Sequence, residues 1–373
     1  MVKALKTLVI LIFLFIVFMI FSNEEIINKN EELIGTNEQG RKITKTDDVD
    51  NIKPTLDTPE FWINKIKNVD SILMDENEIK NFNDENFSKI DCLYNLKEET
   101  TINEKELINL IQSISTIPKE DRYDRNGNII NNDFYNKLID NLNINNIESE
   151  NPLKYGVVVN RSEMRTFPTS EPVYKKPGDI EFDRFVETAI YSLEPVTIYN
   201  ESKDGEWYFA KIYNYIGWLP KEDVAIGERD EIFNYLDNNP FIVVVDRQIT
   251  IDNIDYDMGV KIPLTGLELD KEWEILLPER DEDGKLSFKK EVISKSNNFS
   301  EGYLSYTVEN IITQAFKFKD EKYGWGGTNN TRDCSALIMD IYRTFGIKLP
   351  RNTSQQGMDN LGILYYSSIC WLL

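Results

Sequence analysis

The stretch that decides the fold covers residues 323–351 and reads YGWGGTNNTRDCSALIMDIYRTFGIKLPR. Apolar side chains at helical spacing predict a helix that begins after Asp333 and ends at Gly346, a residue type favoured just past a helix end. Asp333 is predicted to cap this helix, because its carboxylate can accept from free backbone N–H groups. Cys334 then lies in the first turn, where the positive helix end favours the nucleophilic thiolate.

Composition limits the chemistry that Cys334 can perform. The 373 residues include 42 Lys and Arg, 64 Asp and Glu and no His, with a net charge of −22. Such a charge repels nucleic acid, so we expect no nucleic-acid partner. Without histidine the chain cannot form a Ser-His-Asp triad, a Cys-His pair or a His-containing zinc site. We expect neither a metal nor a cofactor.

The N-terminal sequence has the features of an export signal. Lys3 and Lys6 precede an apolar run over residues 8–21, which is shorter than the roughly 20 residues that span a bilayer. We therefore expect residues 1–22 to direct export to the periplasm or cell envelope, either cleaved or kept as a membrane anchor. Residues 23–56 are charged and Asn-rich, which predicts a disordered linker.

The remaining chain divides by its hydrophobic period. Residues 57–152 predict a small helical domain, with a first helix from Pro59 through Leu73 and a second that begins near Asn103. Short β-type runs separated by Pro, Gly and Asp-Gly turns then predict two small barrels, over residues 153–226 and 227–300. Residues 301–373 form the last predicted domain.

Three blocks of the last domain resemble the NlpC family of papain-like cell-wall cysteine peptidases: Tyr323 to Gly327, Asp333 to Ser335, and Gly346 to Arg351. The upstream chain is similar to multidomain members of that family at residues 161–169, 204–207, 217–218 and 258–264. The resemblance implies a multidomain α+β fold. Its parts are a helical N-terminal stabilising domain, two small bacterial SH3-type β-barrels and an incomplete papain-like α+β peptidase domain.

The resemblance also implies an activity, cleavage of peptidoglycan stem peptides near the bond between γ-D-glutamate and the diamino acid. Cys334 matches the nucleophile, and Tyr323 matches a tyrosine that helps to hold the developing oxyanion. The resemblance implies further substrate-binding positions in the last domain and the first barrel: Asp333, Ser335, Arg351, Glu163, Arg165 and Tyr191. The barrel residues are expected to recognise a free peptide N-terminus.

The sequence departs from the family after Arg351. The family places a catalytic histidine and its orienting partner on later strands, whereas residues 365–373 are apolar and do not continue the family pattern. We therefore expect a C-terminally truncated peptidase that is inactive alone, since a thiolate without an imidazole lacks the proton donor that expels an amine. Two alternatives remain, a non-catalytic peptidoglycan-binding module and a chain completed by a separate C-terminal fragment.

Overall fold

The computed structural model describes residues 58–358 and residue 361. The predicted signal segment (1–22), the predicted linker (23–56) and the apolar end (365–373) lie outside the described residues. Within the described part, every helix is too short or too polar to cross a bilayer.

The described chain begins with helices, continues through strands and returns to helices. The helices are α1 (Pro59–Ile63), α2 (Glu76–Lys89), α3 (Glu104–Ile114), α4 (Asn132–Asn141), α5 (Arg229–Asp237), α6 (Val308–Phe316), α7 (Cys334–Arg343) and α8 (Thr353–Gln356). The strands are β1 (Thr101–Asn103), β2 (Glu150–Pro152), β3 (Lys154–Val158), β4 (Ser162–Arg165), β5 (Val186–Ile190), β6 (Pro195–Glu201), β7 (Trp207–Ile212), β8 (Tyr215–Pro220), β9 (Val224–Gly227), β10 (Phe241–Val244), β11 (Gln248–Ile251), β12 (Ile254–Asp257), β13 (Lys261–Glu268), β14 (Glu272–Arg280), β15 (Leu286–Ser294) and β16 (Phe299–Glu301).

The N-terminal helices follow the sequence signals only in part. Helix α3 begins as predicted, because the Asn103 side chain accepts a hydrogen bond from the Glu106 N–H at 3.0 Å. The prediction of one helix through Leu73 was wrong. Helix α1 ends at Ile63, and Asn68 adopts a left-handed backbone with φ of 55°, which interrupts a right-handed helix.

Helix α2 was not predicted. Asp75 accepts from the Glu78 N–H, and the Glu78 side chain accepts from the Asp75 N–H, so a capping box fixes its start. Only Ile79 and Asn86 of this helix are buried. Its apolar stripe is therefore too weak for periodicity to detect.

The first barrel is built on an antiparallel sheet of strand order β5-β4-β8-β7-β6-β3-β9. Its core contains the fully buried side chains of Phe209 and Trp218, whose rings lie 5.2 Å apart. Trp218 Nε1 donates a hydrogen bond at 2.9 Å to Ser115, which follows helix α3. Ser115 in turn donates to the Thr166 carbonyl at 2.8 Å. These hydrogen bonds fix the end of helix α3 against the barrel.

The second barrel contains the strand order β15-β14-β13-β10-β16 and the separate hairpin β11-β12. Ile242, Val244 and Ile275 are fully buried in its core. Strands β14 and β15 form a long antiparallel ladder from Glu272 opposite Ser294 to Arg280 opposite Leu286.

The Arg332 guanidinium forms a buried ion network between the second barrel and helix α7. Arg332 is 1% exposed. It donates to Asp257 of strand β12 at 2.5 Å, to Asp340 of helix α7 at 2.8 Å and to Glu321 at 3.2 Å. Buried charges persist only when they are paired and hydrogen-bonded, so this network constrains how the two elements meet.

The first barrel joins the same network through two side chains. The Tyr191 hydroxyl donates to Asp340 at 2.9 Å, and Arg161 Nε lies 3.2 Å from Asp257. Arg161 also donates to the Gly327 carbonyl at 2.7 Å. Both barrels and the segment around helix α7 therefore meet at one cluster of buried charges.

A glycine-rich turn packs closely on strand β5. Trp325 Nε1 donates to the Val186 carbonyl at 3.2 Å. Gly326 and Gly327 both have left-handed backbones, with φ of 60° and 88°. A Cβ on Gly327 would lie 2.6 Å from the Ala189 Cβ, so glycine is required for backbone conformation and for space.

We expect Gly327→Ala to lower the free energy of unfolding by about 1 to 3 kcal/mol more than Gly178→Ala does. Gly178 has a similar φ of 81°, but a Cβ there meets nothing within 4 Å, so that variant reports backbone strain alone. Denaturant unfolding of both variants measures the difference. Equal losses would contradict the close approach of the turn to strand β5.

Candidate active site

Cys334 is the first residue of helix α7 and has a half-buried side chain. Asp333 caps the helix as predicted, accepting from the Ala336 N–H at 2.9 Å. The Cys334 Sγ lies 3.3 Å from the Thr353 hydroxyl at the start of helix α8. The thiol is free of any disulfide; it packs against the edge of the apolar core and stays partly exposed, so a reactant can reach it.

Arg351 fixes the Asp333 carboxylate, next to Cys334 in the sequence, through hydrogen bonds. Its guanidinium donates to both Asp333 carboxylate oxygens, at 3.1 and 2.6 Å, and to the Ser335 hydroxyl at 2.8 Å. Arg351 Nε donates to Thr188 of strand β5. Asp333, Ser335 and Arg351 are all at most 9% exposed. Their contacts support the start of helix α7, and their role toward a substrate stays a prediction.

Tyr323 lies near the cysteine and is 43% exposed. Its backbone pairs with that of Arg332, two residues before Cys334. Burial raises the pKa of the Tyr323 hydroxyl to about 12, and the negative charge of Asp333 adds to this increase. The hydroxyl therefore stays protonated at neutral pH and can donate a hydrogen bond to an oxyanion.

Two of the barrel residues predicted to bind substrate are buried and paired within the protein. Arg165 donates to Asp183 at 2.6 Å, and the Tyr191 hydroxyl donates to Asp340. Both side chains are at most 5% exposed. Glu163 is more accessible, and burial raises its pKa against the opposing charge of Arg165. Recognition of a peptide N-terminus by these residues stays a prediction.

Thr353 and Arg184 lie at the site but were not predicted. Thr353 contacts the Cys334 sulfur and follows Arg351 closely in sequence, so its proximity to the predicted block was the available signal. Arg184 packs over the Trp325 ring, with its Cζ atom 4.6 Å from the ring centroid. This contact joins residues far apart in sequence, and no local pattern indicates it.

A cavity of about 10 Å³ lies between the first barrel and helix α7, lined among others by Tyr191, Tyr213 and Met339. It has room for about one water molecule and none for a peptide. Within residues 58–358 and 361, no three His, Cys, Asp or Glu side chains are arranged to hold a metal ion.

The comparisons with known proteins agree with this architecture. Residues 172–220 match the model of the SH3 domain of SH3b1 type, and residues 320–366 match that of the NlpC/P60 family. Two segments of the chain are therefore similar to an SH3 domain and to the NlpC/P60 family, which confirms the resemblance that the sequence predicted. No curated protein matches the chain.

A solved structure shares the fold. It is an NlpC/P60 endopeptidase from Photobacterium damselae subsp. piscicida, with 23% sequence identity and a TM-score of 0.62. The match covers 78% of this chain and 67% of that chain. The predicted multidomain α+β fold is thereby confirmed.

We expect Arg351→Met to destabilise the protein by about 3 to 5 kcal/mol, because it leaves the Asp333 carboxylate buried and unpaired. Adding Asp333→Asn should recover part of the loss. The matched control is Lys203→Met, which breaks an ion pair to Asp140 whose side chains are 55% and 64% exposed, and it should cost about 1 kcal/mol or less. Denaturant unfolding measures all variants, and a small effect of Arg351→Met would refute the supporting role.

Proposed function

We propose that this chain acts on peptidoglycan stem peptides as a cysteine endopeptidase of the NlpC/P60 type. The observation that carries the proposal is the half-buried Cys334 thiol at the capped start of helix α7, within an NlpC/P60-family segment. The proposed scissile bond joins γ-D-glutamate to the diamino acid, as the sequence resemblance implies.

In the proposed reaction, the Cys334 thiolate attacks the peptide carbonyl carbon and forms a tetrahedral oxyanion. The Tyr323 hydroxyl donates a hydrogen bond to that oxyanion. Arg351 fixes Asp333, and Asp333 in turn keeps the first turn of helix α7 and the Cys334 sulfur in position. Collapse of the intermediate to a thioester then requires a proton for the departing amine.

The 373 residues contain no histidine to supply this proton. We therefore propose that the chain alone is catalytically defective, and that a fragment carrying a histidine completes the site. We also propose that the protein works in the cell envelope. Lys3, Lys6 and the apolar run over residues 8–21 support this location.

We expect iodoacetamide to alkylate Cys334 several-fold faster than Cys92 at neutral pH. Cys334 is the first residue of helix α7, where the positive helix end favours a thiolate. Burial instead raises the pKa of the Cys92 thiol and reduces its thiolate fraction. Peptide mass spectrometry of a Cys370→Ser chain, with time points, measures both rates in one sample. Faster labelling of Cys92 would contradict the assignment of Cys334 as the nucleophile.

We expect the isolated chain to release no product from an L-alanyl-γ-D-glutamyl-diaminopimelate peptide. Addition of a C-terminal fragment from an NlpC/P60 enzyme that carries the histidine strand should restore release, and Cys334→Ala should abolish the restored activity. Chromatography of the released peptides measures each reaction. Hydrolysis by the isolated chain that Cys334→Ala removes would support the peptidase and overturn the catalytic defect.

A second candidate is a peptidoglycan-binding protein without catalysis, which the SH3b1-type match at residues 172–220 and the absence of histidine favour. Sedimentation with purified peptidoglycan tests this function. We expect retention above that of an unrelated protein of similar negative charge, and Cys334→Ala should bind equally well. Retention no greater than that of the control would exclude it.

A further inference from the structure

Arg184 lies two residues before strand β5 and packs against two aromatic rings. Its guanidinium carbon is 4.6 Å from the Trp325 ring centroid and 5.5 Å from that of Phe182. The two rings meet edge to face, with centroids 6.1 Å apart. The hydrogen bond from Trp325 Nε1 to Val186 fixes the indole. These cation–π contacts hold the guanidinium without giving its N–H donors an acceptor.

The Arg184 guanidinium is not committed to a neighbouring carboxylate. Its Nε is buried and has no hydrogen-bond acceptor among residues 58–358 and 361. The adjacent carboxylate, Asp183, is already occupied. One oxygen accepts from Arg165 at 2.6 Å, and the other accepts from the N–H groups of Val173 and Phe185.

Other arginines with a similarly buried Nε have hydrogen-bond acceptors for the rest of the guanidinium. Four of them hydrogen-bond through their terminal nitrogens, namely Arg122, Arg161, Arg165 and Arg229. A buried donor without a partner costs free energy in the free protein, and a bound acceptor recovers it. Arg184 is therefore poised to bind an anion.

Arg184 packs beside the turn that contains Tyr323, because Trp325 follows Tyr323 by two residues, and the Tyr323 backbone pairs with that of Arg332, two residues before Cys334. Its positive charge acts on the Tyr323 hydroxyl, where it opposes the increase in pKa caused by burial and by the charge of Asp333. Arg351 is the other arginine at this site, and its donors are taken by Asp333, Ser335 and Thr188. Arg184 thus still has donors available at this site.

We propose that Arg184 binds a carboxylate of the stem peptide at the Cys334 site. This inference rests on the proposed function and names the substrate group that the first barrel recognises. A guanidinium can pair with a carboxylate through two parallel hydrogen bonds. A chain of net charge −22 repels an acidic peptide overall, so a local cation is needed to hold it.

Two carboxylates flank the proposed scissile bond, the α-carboxylate of D-glutamate and the carboxylates of the diamino acid. Titration calorimetry of the full chain with three peptides distinguishes them: L-alanyl-γ-D-glutamyl-diaminopimelate, its D-glutamate amide and its diaminopimelate amide. We expect one amide to bind about 10- to 100-fold more weakly than the parent, the range for a hydrogen-bonded charge pair. The weaker amide identifies the carboxylate that Arg184 contacts.

Arg184→Gln should weaken binding of the parent peptide by the same factor and remove the discrimination between parent and amide. Arg184→Lys should retain part of the affinity for the parent peptide and part of the discrimination against the amide, because it keeps the positive charge. The matched control is Lys295→Gln, which removes a cation 5.5 Å from the Trp273 ring in the second barrel and should leave binding unchanged.

Equal affinity of the wild-type chain for all three peptides would overturn the inference and leave the proposed function standing. An affinity difference between the parent peptide and its amides that persists in Arg184→Gln would also overturn the inference and leave the proposed function standing. Absence of binding to every peptide would overturn the proposed function together with the inference. If Arg184→Gln unfolds, the wild-type comparison of the peptides and the Arg184→Lys variant decide.

Discussion

The Arg332 guanidinium is the constraint on which the candidate site depends. It lies two residues before Cys334, is almost fully buried and must keep its acidic partners, because an unpaired charge in the interior costs several kcal/mol. Asp257 lies on the second barrel and Asp340 on helix α7, so satisfying one guanidinium fixes the backbone that enters the helix. The position of the cysteine sulfur is therefore determined partly by the second barrel.

The first barrel has a more direct part in the site. Strand β5 supplies the hydroxyl of Thr188 to Arg351, and its backbone receives the glycine-rich turn that follows Tyr323. Arg184 precedes the same strand and packs over Trp325. The first barrel thus forms one wall of the candidate site.

Local signals made the start of helix α7 predictable. Asp333 is a good capping residue, Cys334 follows it directly, and Gly346 has the left-handed backbone expected after a helix, with φ of 77°. The helix α1 boundary and helix α2 were missed for local reasons as well. Asn68 has a left-handed backbone, which the spacing of apolar residues does not reveal. Helix α2 buries too few side chains to show an apolar stripe in the sequence.

Long-range pairing explains the rest of what sequence could not predict. Arg351 belongs to a recognisable block, yet its burial follows from Asp333 and Thr188, which only the fold brings together. Arg165 and Tyr191 were expected at a cleft, but Asp183 and Asp340 hold them inside the protein. A charged side chain in a sequence shows that a partner is required and does not show where the partner lies.

The contact between Gly327 and Ala189 restricts how these modules can be exchanged during evolution. The turn has no room for a β-carbon at Gly327, and a side chain larger than alanine at position 189 would meet the same backbone. An SH3 domain recruited from another protein must therefore present a small residue at that point of its strand, or the recipient turn must change with it. Recombination at the domain boundary succeeds only when the strand and the turn remain compatible at this contact.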